Sequence, residues 1–126
     1  MAFGDIGGAV TELIITCQTP DTGDVKIERG DPVELVGPYT ITNQRQWGVL
    51  FGQSMGDAES NSQSIPIKVR GVAIFNYEGV EPKVTTDSGL VMGSRSGKVE
   101  VPHGEGVATG KILKVNATDK EVHLLL

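Results

Sequence analysis

The chain has 126 residues, enough for one domain with a buried core but too few for two lobes enclosing a cleft. Its net charge is −5 and its 11 basic residues are dispersed, which disfavours nucleic-acid binding. The single cysteine excludes an internal disulfide and a cysteine-based zinc cluster. No apolar run approaches the ~18 residues of a membrane span, and the N-terminus lacks signal-peptide features, so we expect a cytosolic product that binds no membrane.

The first nine residues are rich in glycine, with Phe3 and Ile6 as isolated apolar residues. Such a segment has high chain entropy and cannot form a stable element alone. We therefore predict a flexible N-terminal arm over 1–9 and a single β domain over 10–126.

Short runs in which apolar and polar residues alternate begin after the arm, and this alternation predicts half-buried strands. The predicted strands of the first half are 10–17, 25–28, 33–36, 39–42 and 47–51. The segment 52–64 that follows is polar and has no periodicity. We interpret it as the main exposed loop, with a distorted helical turn as the alternative.

The second half continues the pattern. Its predicted strands are 65–75, 90–92, 98–101, 111–115 and 121–126. The first of these is the longest, and Pro66 is expected at its edge or first turn because proline cannot donate to a ladder. The last two flank a turn and predict a C-terminal hairpin. No segment sustains a helical period, so we predict an all-β fold, a small barrel or sandwich of about eight to ten strands.

Candidate catalytic and metal-binding residues are few. His103 lies in a turn-like setting, His123 alternates onto the outer face of a terminal strand, and neither has a second ligand at metal-binding spacing. There is no phosphate-binding loop, dinucleotide fingerprint or nucleophile elbow. Cys17 ends an apolar run and is expected to be a small buried residue. We predict no catalytic residue, no cofactor and no metal.

Two short segments resemble the paired Asp-Thr/Ser-Gly loops of aspartic proteases, namely 21–23 and 87–89. Those enzymes bring two aspartates together so that one proton is shared between them. Here polar residues precede both segments, where that family has a buried apolar strand, and Asp-Thr-Gly is also a common turn sequence. A protease-like enzyme is therefore the least favoured alternative.

Six segments resemble, in order and spacing, the successive strands of small bacteriophage capsid decoration proteins, also called cement or head-stabilising proteins. They are Gly-Asp-Pro-Val at 30–33, Trp-Gly-Val at 47–49, Ile-Pro-Ile-Lys-Val-Arg-Gly-Val at 65–72, Gly-Lys-Val at 97–99, Gly-Lys-Ile-Leu at 110–113 and Val-His-Leu-Leu-Leu at 122–126. The similarity covers roughly 10–126. It departs from the family between 81 and 93, where Thr-Asp-Ser-Gly replaces a Gly-Asp turn that opens a strand.

The resemblance implies a compact, non-enzymatic β domain, often a homotrimer, bound near three-fold or quasi-three-fold sites of an icosahedral head. Its partner would be the major capsid protein on the outer surface of the virion. We predict that Phe3 and Ile6 of the arm, with Val10 directly after it, contact the capsid by adding a strand to its sheet edge. We predict the same role for Trp47 and Tyr77 as exposed aromatics, with core packing as the alternative for Trp47.

Two other non-enzymatic functions stay open. A tail or baseplate β module could bind a carbohydrate receptor, although such modules tend to cluster surface aromatics and the six aromatics here are spread along the chain. An oligomeric barrel with an unknown ligand is the other.

Overall fold

The computed structural model describes residues 12–94, 97–103 and 107–126. Within these residues the chain forms ten strands arranged as a closed barrel and an open sheet. The described part of the chain contains no helix that is long and apolar enough to cross a membrane. The predicted all-β fold class is confirmed.

The first half of the chain forms the barrel. Its strands are β1 (Leu13–Gln18), β2 (Pro32–Gly37), β3 (Thr40–Thr42), β4 (Gly52–Ser54) and β5 (Ser64–Arg70). The order around the barrel is β1-β3-β2-β4-β5, and β1 closes it by pairing antiparallel with β5. The pairing of β1 with β3 is parallel and limited to Gln18 opposite Thr40.

Alternating apolar residues of these strands fill the barrel. The buried cluster consists of Cys17, Ile27, Val33, Ile41, Ala58, Ile65 and Ile67. Cys17 is therefore the small buried residue that its position predicts, and burial raises the pKa of its thiol. A desolvated thiol of this kind is a packing element rather than a nucleophile.

The second half of the chain forms the open sheet. Its strands are β6 (Val72–Tyr77), β7 (Val91–Met92), β8 (Lys98–Glu100), β9 (Lys111–Asn116) and β10 (Glu121–Leu125). They are ordered β7-β8-β6-β10-β9, with β9 and β10 forming the predicted C-terminal hairpin. Strict alternation places Ala73, Phe75 and Tyr77 of β6 on the buried face, where Phe75 lies opposite Val122 of β10.

The two halves are joined where β5 passes into β6. Gly71 has a φ of 114°, a conformation that favours glycine, and it turns the chain from the barrel into the sheet. The buried side chain of Gln53 bridges the same junction, because its Nε2 donates to the carbonyl of Ile74 at 2.9 Å and to that of Gly30 at 3.2 Å. The predicted single strand 65–75 is therefore wrong: it is two strands in two different sheets.

Three other predicted elements in the first half are also corrected. The segment 25–28 forms only an isolated bridge between Ile27 and Ala58. The segment 47–51 is not a strand, since Trp47 lies in a turn with Gln46 and residues 48–51 belong to no strand. The predicted loop 52–64 begins with the fully buried strand β4, and only its later part, from Asp57 onwards, is mainly exposed.

Candidate functional site

Trp47 is held on the surface at the point where the barrel meets the edge of the open sheet. Its backbone N–H donates to the carbonyl of Met92 at 3.1 Å, and the N–H of Met92 donates to the carbonyl of Gly48 at 3.0 Å. These two bonds attach Trp47 and Gly48 to β7, at the end of the turn at Gln46 and Trp47, which we call the Trp47 turn. The indole side chain remains 55% exposed. The sole tryptophan of the chain is thus displayed on a fixed backbone.

The backbone of this turn is strained, and contacts with neighbouring residues hold it in this conformation. Trp47 has a φ of 56°, which is rare for a bulky residue and costs of order 1–3 kcal/mol. The carboxylate of Glu34 lies directly against Gly48, so that any side chain at position 48 would overlap Glu34 Oε2. Glycine at 48 therefore leaves room for the buried carboxylate beneath the turn. The turn holds Trp47 outward.

A hollow of about 390 Å³ opens beside the indole, and we call it the Trp47 hollow. It is lined by Trp47, Val91, Pro102 and His103. Its walls are mainly apolar, with the imidazole of His103 at the rim. The predicted alternative that Trp47 packs in the core is wrong, because the ring lines this surface hollow instead.

A buried carboxylate lies behind the rim of the Trp47 hollow. Glu100 of β8 pairs directly with Val91 of β7, and side chains that are opposite each other in a ladder point to the same face of the sheet. Glu100 is only 5% exposed, and its Oε1 has no hydrogen-bond partner among the described residues. His103 Nε2 lies 3.6 Å from that oxygen, beyond hydrogen-bond distance.

A second carboxylate in the same region is similarly incomplete. Glu34 Oε1 contacts the guanidinium of Arg45 at 3.1 Å, while Oε2 has no hydrogen-bond partner in the described part of the chain. Arg45 is largely exposed, so this ion pair contributes little to stability by itself. The surface around Trp47 thus combines an exposed aromatic, an apolar hollow and two buried carboxylates.

The other predicted interface residues are not brought together with Trp47 by the described fold. Tyr77 is 4% exposed and belongs to the core of the open sheet, so the prediction that it is an exposed aromatic is wrong. The physical reason is the alternation of β6, which places position 77 on the same face as Phe75. Phe3, Ile6 and Val10 lie outside the described residues.

The burial of Tyr77 has a consequence at alkaline pH. Desolvation, assisted by the charge of Glu81, raises the pKa of the Tyr77 hydroxyl above its ordinary value near 10. A raised pKa in the folded state means that the unfolded chain ionises first. The resulting stabilisation is complete below pH 10 and is lost as the pH rises through the folded-state pKa.

We therefore expect the free energy of unfolding to fall more steeply above pH 10 in the wild type than in Tyr77→Phe. Urea denaturation over a pH series measures both, and Tyr39→Phe is the matched control because it replaces the only other tyrosine, which is exposed. An identical alkaline decline in wild type and Tyr77→Phe would contradict the burial of this hydroxyl.

Sequence reasoning missed most of the residues around Trp47. Glu34 and Glu100 each lie in a strand, and alternation alone would place one face of such a strand outward. Because charged side chains favour solvent, both glutamates would be expected on that outer face. Both are buried, since Glu34 packs beneath Gly48 and Glu100 lies close to Gly79 and His103. The available signals were the glycine that directly follows the only tryptophan and the Pro-His pair at 102–103.

The two aspartates of the protease-like segments lie in different surface segments of the fold. Asp87 Oδ2 accepts the backbone N–H of Lys83 at 2.6 Å and so closes a turn ahead of β7, whereas Asp21 is exposed in the turn after β1. The described residues contain no group of three or more His, Cys, Asp or Glu that could hold a metal ion.

Comparison of the chain with models of known protein families and with curated proteins finds no match. The resemblance to capsid decoration proteins therefore stays a prediction, and the surface around Trp47 carries the functional argument.

Proposed function

We propose that this protein is a non-enzymatic structural protein of a bacteriophage virion, which binds the outer surface of the expanded icosahedral head and stabilises it. The observation that carries the proposal is Trp47, a lone tryptophan that is more than half exposed on a backbone fixed by two hydrogen bonds to Met92. The order and spacing of the segments that resemble decoration proteins support the choice of partner.

An exposed tryptophan on a rigid turn is suited to protein recognition. Tryptophan is enriched among the few interface residues that dominate binding energy, where it fills a pocket on the partner. A side chain on a fixed backbone costs less conformational entropy on binding than one on a flexible loop, because the backbone is already ordered. The strain at Trp47 therefore supports a binding role, because the fold maintains a costly conformation that leaves the ring in solvent.

The proposed mechanism is mass action. A protein that binds only the assembled, expanded shell stabilises that state by its binding free energy, and this stabilisation is multiplied over many copies. The major capsid protein is the proposed partner, and a homotrimer on the head is the proposed assembly. The arm residues Phe3 and Ile6, together with Val10, would add a strand to the capsid sheet, while Trp47 would occupy a pocket on the capsid surface.

Trp47→Ala should weaken binding to expanded heads by at least about 30-fold, the effect of losing one dominant interface residue worth ~2 kcal/mol. Co-sedimentation with purified expanded and unexpanded heads measures the affinity. Tyr39→Ala is a closely matched control, since Tyr39 is also exposed and also has a positive φ, but lies on the β2–β3 turn of the barrel. Equal losses in both variants, or none in either, would contradict a specific role for Trp47.

Deleting residues 2–9 should leave the melting temperature nearly unchanged and weaken head binding at least tenfold, about 1.4 kcal/mol. The glycine-rich arm has few apolar side chains that could contribute to a core. Ordering it on a partner costs roughly 1–2 kcal/mol of backbone entropy per residue, and the burial of Phe3 and Ile6 must return more free energy than this. Calorimetry and the same sedimentation assay measure the two quantities. A large drop in melting temperature would instead make the arm part of the β domain.

A receptor-binding module of a phage tail is the second candidate. One observation favours it: the Trp47 hollow places an aromatic ring near a buried carboxylate, and sugars are bound by stacking and by hydrogen bonds of this kind. Sedimentation with bacterial cell envelopes, and not with heads, would select this function.

A further inference from the structure

Within the described residues, two buried side-chain oxygens have no hydrogen-bond partner, Glu34 Oε2 and Glu100 Oε1. A buried acceptor without a partner costs about 1–3 kcal/mol, and more when it is charged. Glu34 packs against Gly48, next to Trp47, and Glu100 lies beside Val91 and His103, which line the Trp47 hollow. Glu34 already contacts the guanidinium of Arg45 through its other oxygen, whereas the imidazole of His103 is 3.6 Å from the free oxygen of Glu100. Glu100 is therefore the carboxylate that an added cationic donor would satisfy.

The position of Glu100 shows where that donor would enter. Its side chain shares a sheet face with Val91, which lines the hollow, and its free oxygen lies 3.6 Å from His103, which forms the rim. The opposite face of the same two strands carries Met92 and Val99, which belong to the core. The free oxygen of Glu100 therefore lies on the face of the sheet that carries Val91, buried behind the exposed imidazole of His103, which lines the Trp47 hollow.

We propose that the Trp47 hollow binds an arginine side chain of the partner protein. This inference rests on the proposed function, because it names the chemistry by which the partner is recognised. The planar guanidinium would stack on the indole of Trp47, displace the exposed imidazole of His103 and donate to Glu100 Oε1. This arrangement combines a cation–π contact with a charge-assisted hydrogen bond.

Arginine fits this surface better than lysine does. Its flat, weakly hydrated group stacks on aromatic faces and presents several donors at once, whereas an ammonium is a compact and strongly hydrated charge. The surface already binds one guanidinium of its own, since Arg45 contacts Glu34 Oε1 at 3.1 Å. Because Arg45 balances the charge of Glu34, the carboxylate that a guanidinium of the partner would meet is that of Glu100.

The test uses Trp47 itself as the probe, because as the sole tryptophan it is the only source of tryptophan fluorescence in the full-length protein. The protein is titrated with a capped Gly-Arg-Gly peptide and with the same peptide carrying citrulline, which has nearly the same shape but no charge. We expect a saturable change in emission with the arginine peptide and at least a tenfold weaker response with citrulline.

Two substitutions then assign the contact. Glu100→Gln keeps the size of the side chain and removes its charge, and should weaken the arginine peptide at least fivefold. Glu34→Gln should weaken it less, since it acts through the local potential. Glu59→Gln is the control, because Glu59 is an exposed carboxylate in the loop after β4, and should change nothing. The peptide comparison on wild-type protein stands even if a variant fails to fold.

The outcomes separate this inference from the function on which it rests. Equal responses to arginine and citrulline, or no saturable response to either, would overturn the arginine site. Unchanged binding of the arginine peptide by a folded Glu100→Gln variant would overturn the role of Glu100. If the arginine peptide binds as expected and the protein fails to sediment with heads, the site stands and the head-binding function falls.

Discussion

Phe75→Ala is expected to lower the free energy of unfolding by about 3–5 kcal/mol. Phe75 heads the fully buried side chains by volume, and it lies in β6, the central strand of the open sheet, between β8 and β10. Removing the ring leaves a cavity whose walls belong to paired strands, opposite Val122 and beside Ala73. Such walls cannot collapse into the cavity without breaking ladder hydrogen bonds, so the cost should fall in the upper part of that range.

The neighbouring Ile74→Ala variant provides the matched control for Phe75→Ala. Ile74 is in the same strand but faces outward and is 49% exposed, so its truncation should cost less than about 1 kcal/mol. Urea denaturation of both variants, with equal m-values, gives the comparison. Similar losses in the two variants would contradict the assignment of the two faces of β6.

Much of the open sheet could be predicted from the sequence because its signals are local. The C-terminal hairpin needs only two alternating runs and a turn, and it folds at 111–116 and 121–125 as predicted. The same periodicity would have placed Tyr77 inside, since Ala73, Phe75 and Tyr77 are spaced by two. The predicted strand ends at residue 75, so the prediction of an exposed Tyr77 did not take account of this period.

The barrel was harder to predict because its elements depend on partners that are distant in the chain. The segment 25–28 alternates as clearly as a true strand, yet pairs only through Ile27 with Ala58, so alternation without a partner strand yields an isolated bridge. In the opposite direction, Gly52–Ser54 has no apolar side chain and was predicted as loop, but it is buried between β2 and β5. There the close approach of backbones replaces side-chain packing.

The surface around Trp47 lies beyond sequence reasoning for the same reason. Whether the indole is buried or displayed depends on the backbone bonds to Met92 and on the carboxylate of Glu34 beneath Gly48. Both contacts join segments that are far apart in the sequence. Burial of Glu34 and Glu100 runs against the average preference of glutamate for solvent, and such violations of local rules are expected at functional sites.

Gly89→Ala is expected to lower the free energy of unfolding by about 3 kcal/mol or more, from backbone strain and a steric clash of ~1–3 kcal/mol each. Gly89 has a φ of 138°, which residues with a side chain rarely adopt, and an added Cβ would lie 2.7 Å from the carbonyl oxygen of Thr109 and 2.9 Å from that of Gly110. These atoms are backbone and cannot rotate away. The next residue, Leu90, forms a bridge with Thr109 through two hydrogen bonds, so the clash would force this bridge apart.

Gly23→Ala separates the two contributions to the cost at Gly89. Gly23 also has a positive φ, 88°, but no atom lies within 4 Å of an added Cβ, so only the backbone strain of roughly 1–2 kcal/mol applies. Urea denaturation of both variants measures the difference. Since β7 follows directly and holds the Trp47 turn through Met92, Gly89→Ala should also change the fluorescence of Trp47 in the native state, whereas Gly23→Ala should not. Equal destabilisation by the two substitutions would show that the backbone at Thr109 shifts at little energetic cost. An unchanged Trp47 emission in Gly89→Ala would show that the Trp47 turn is held independently of the bridge between Leu90 and Thr109.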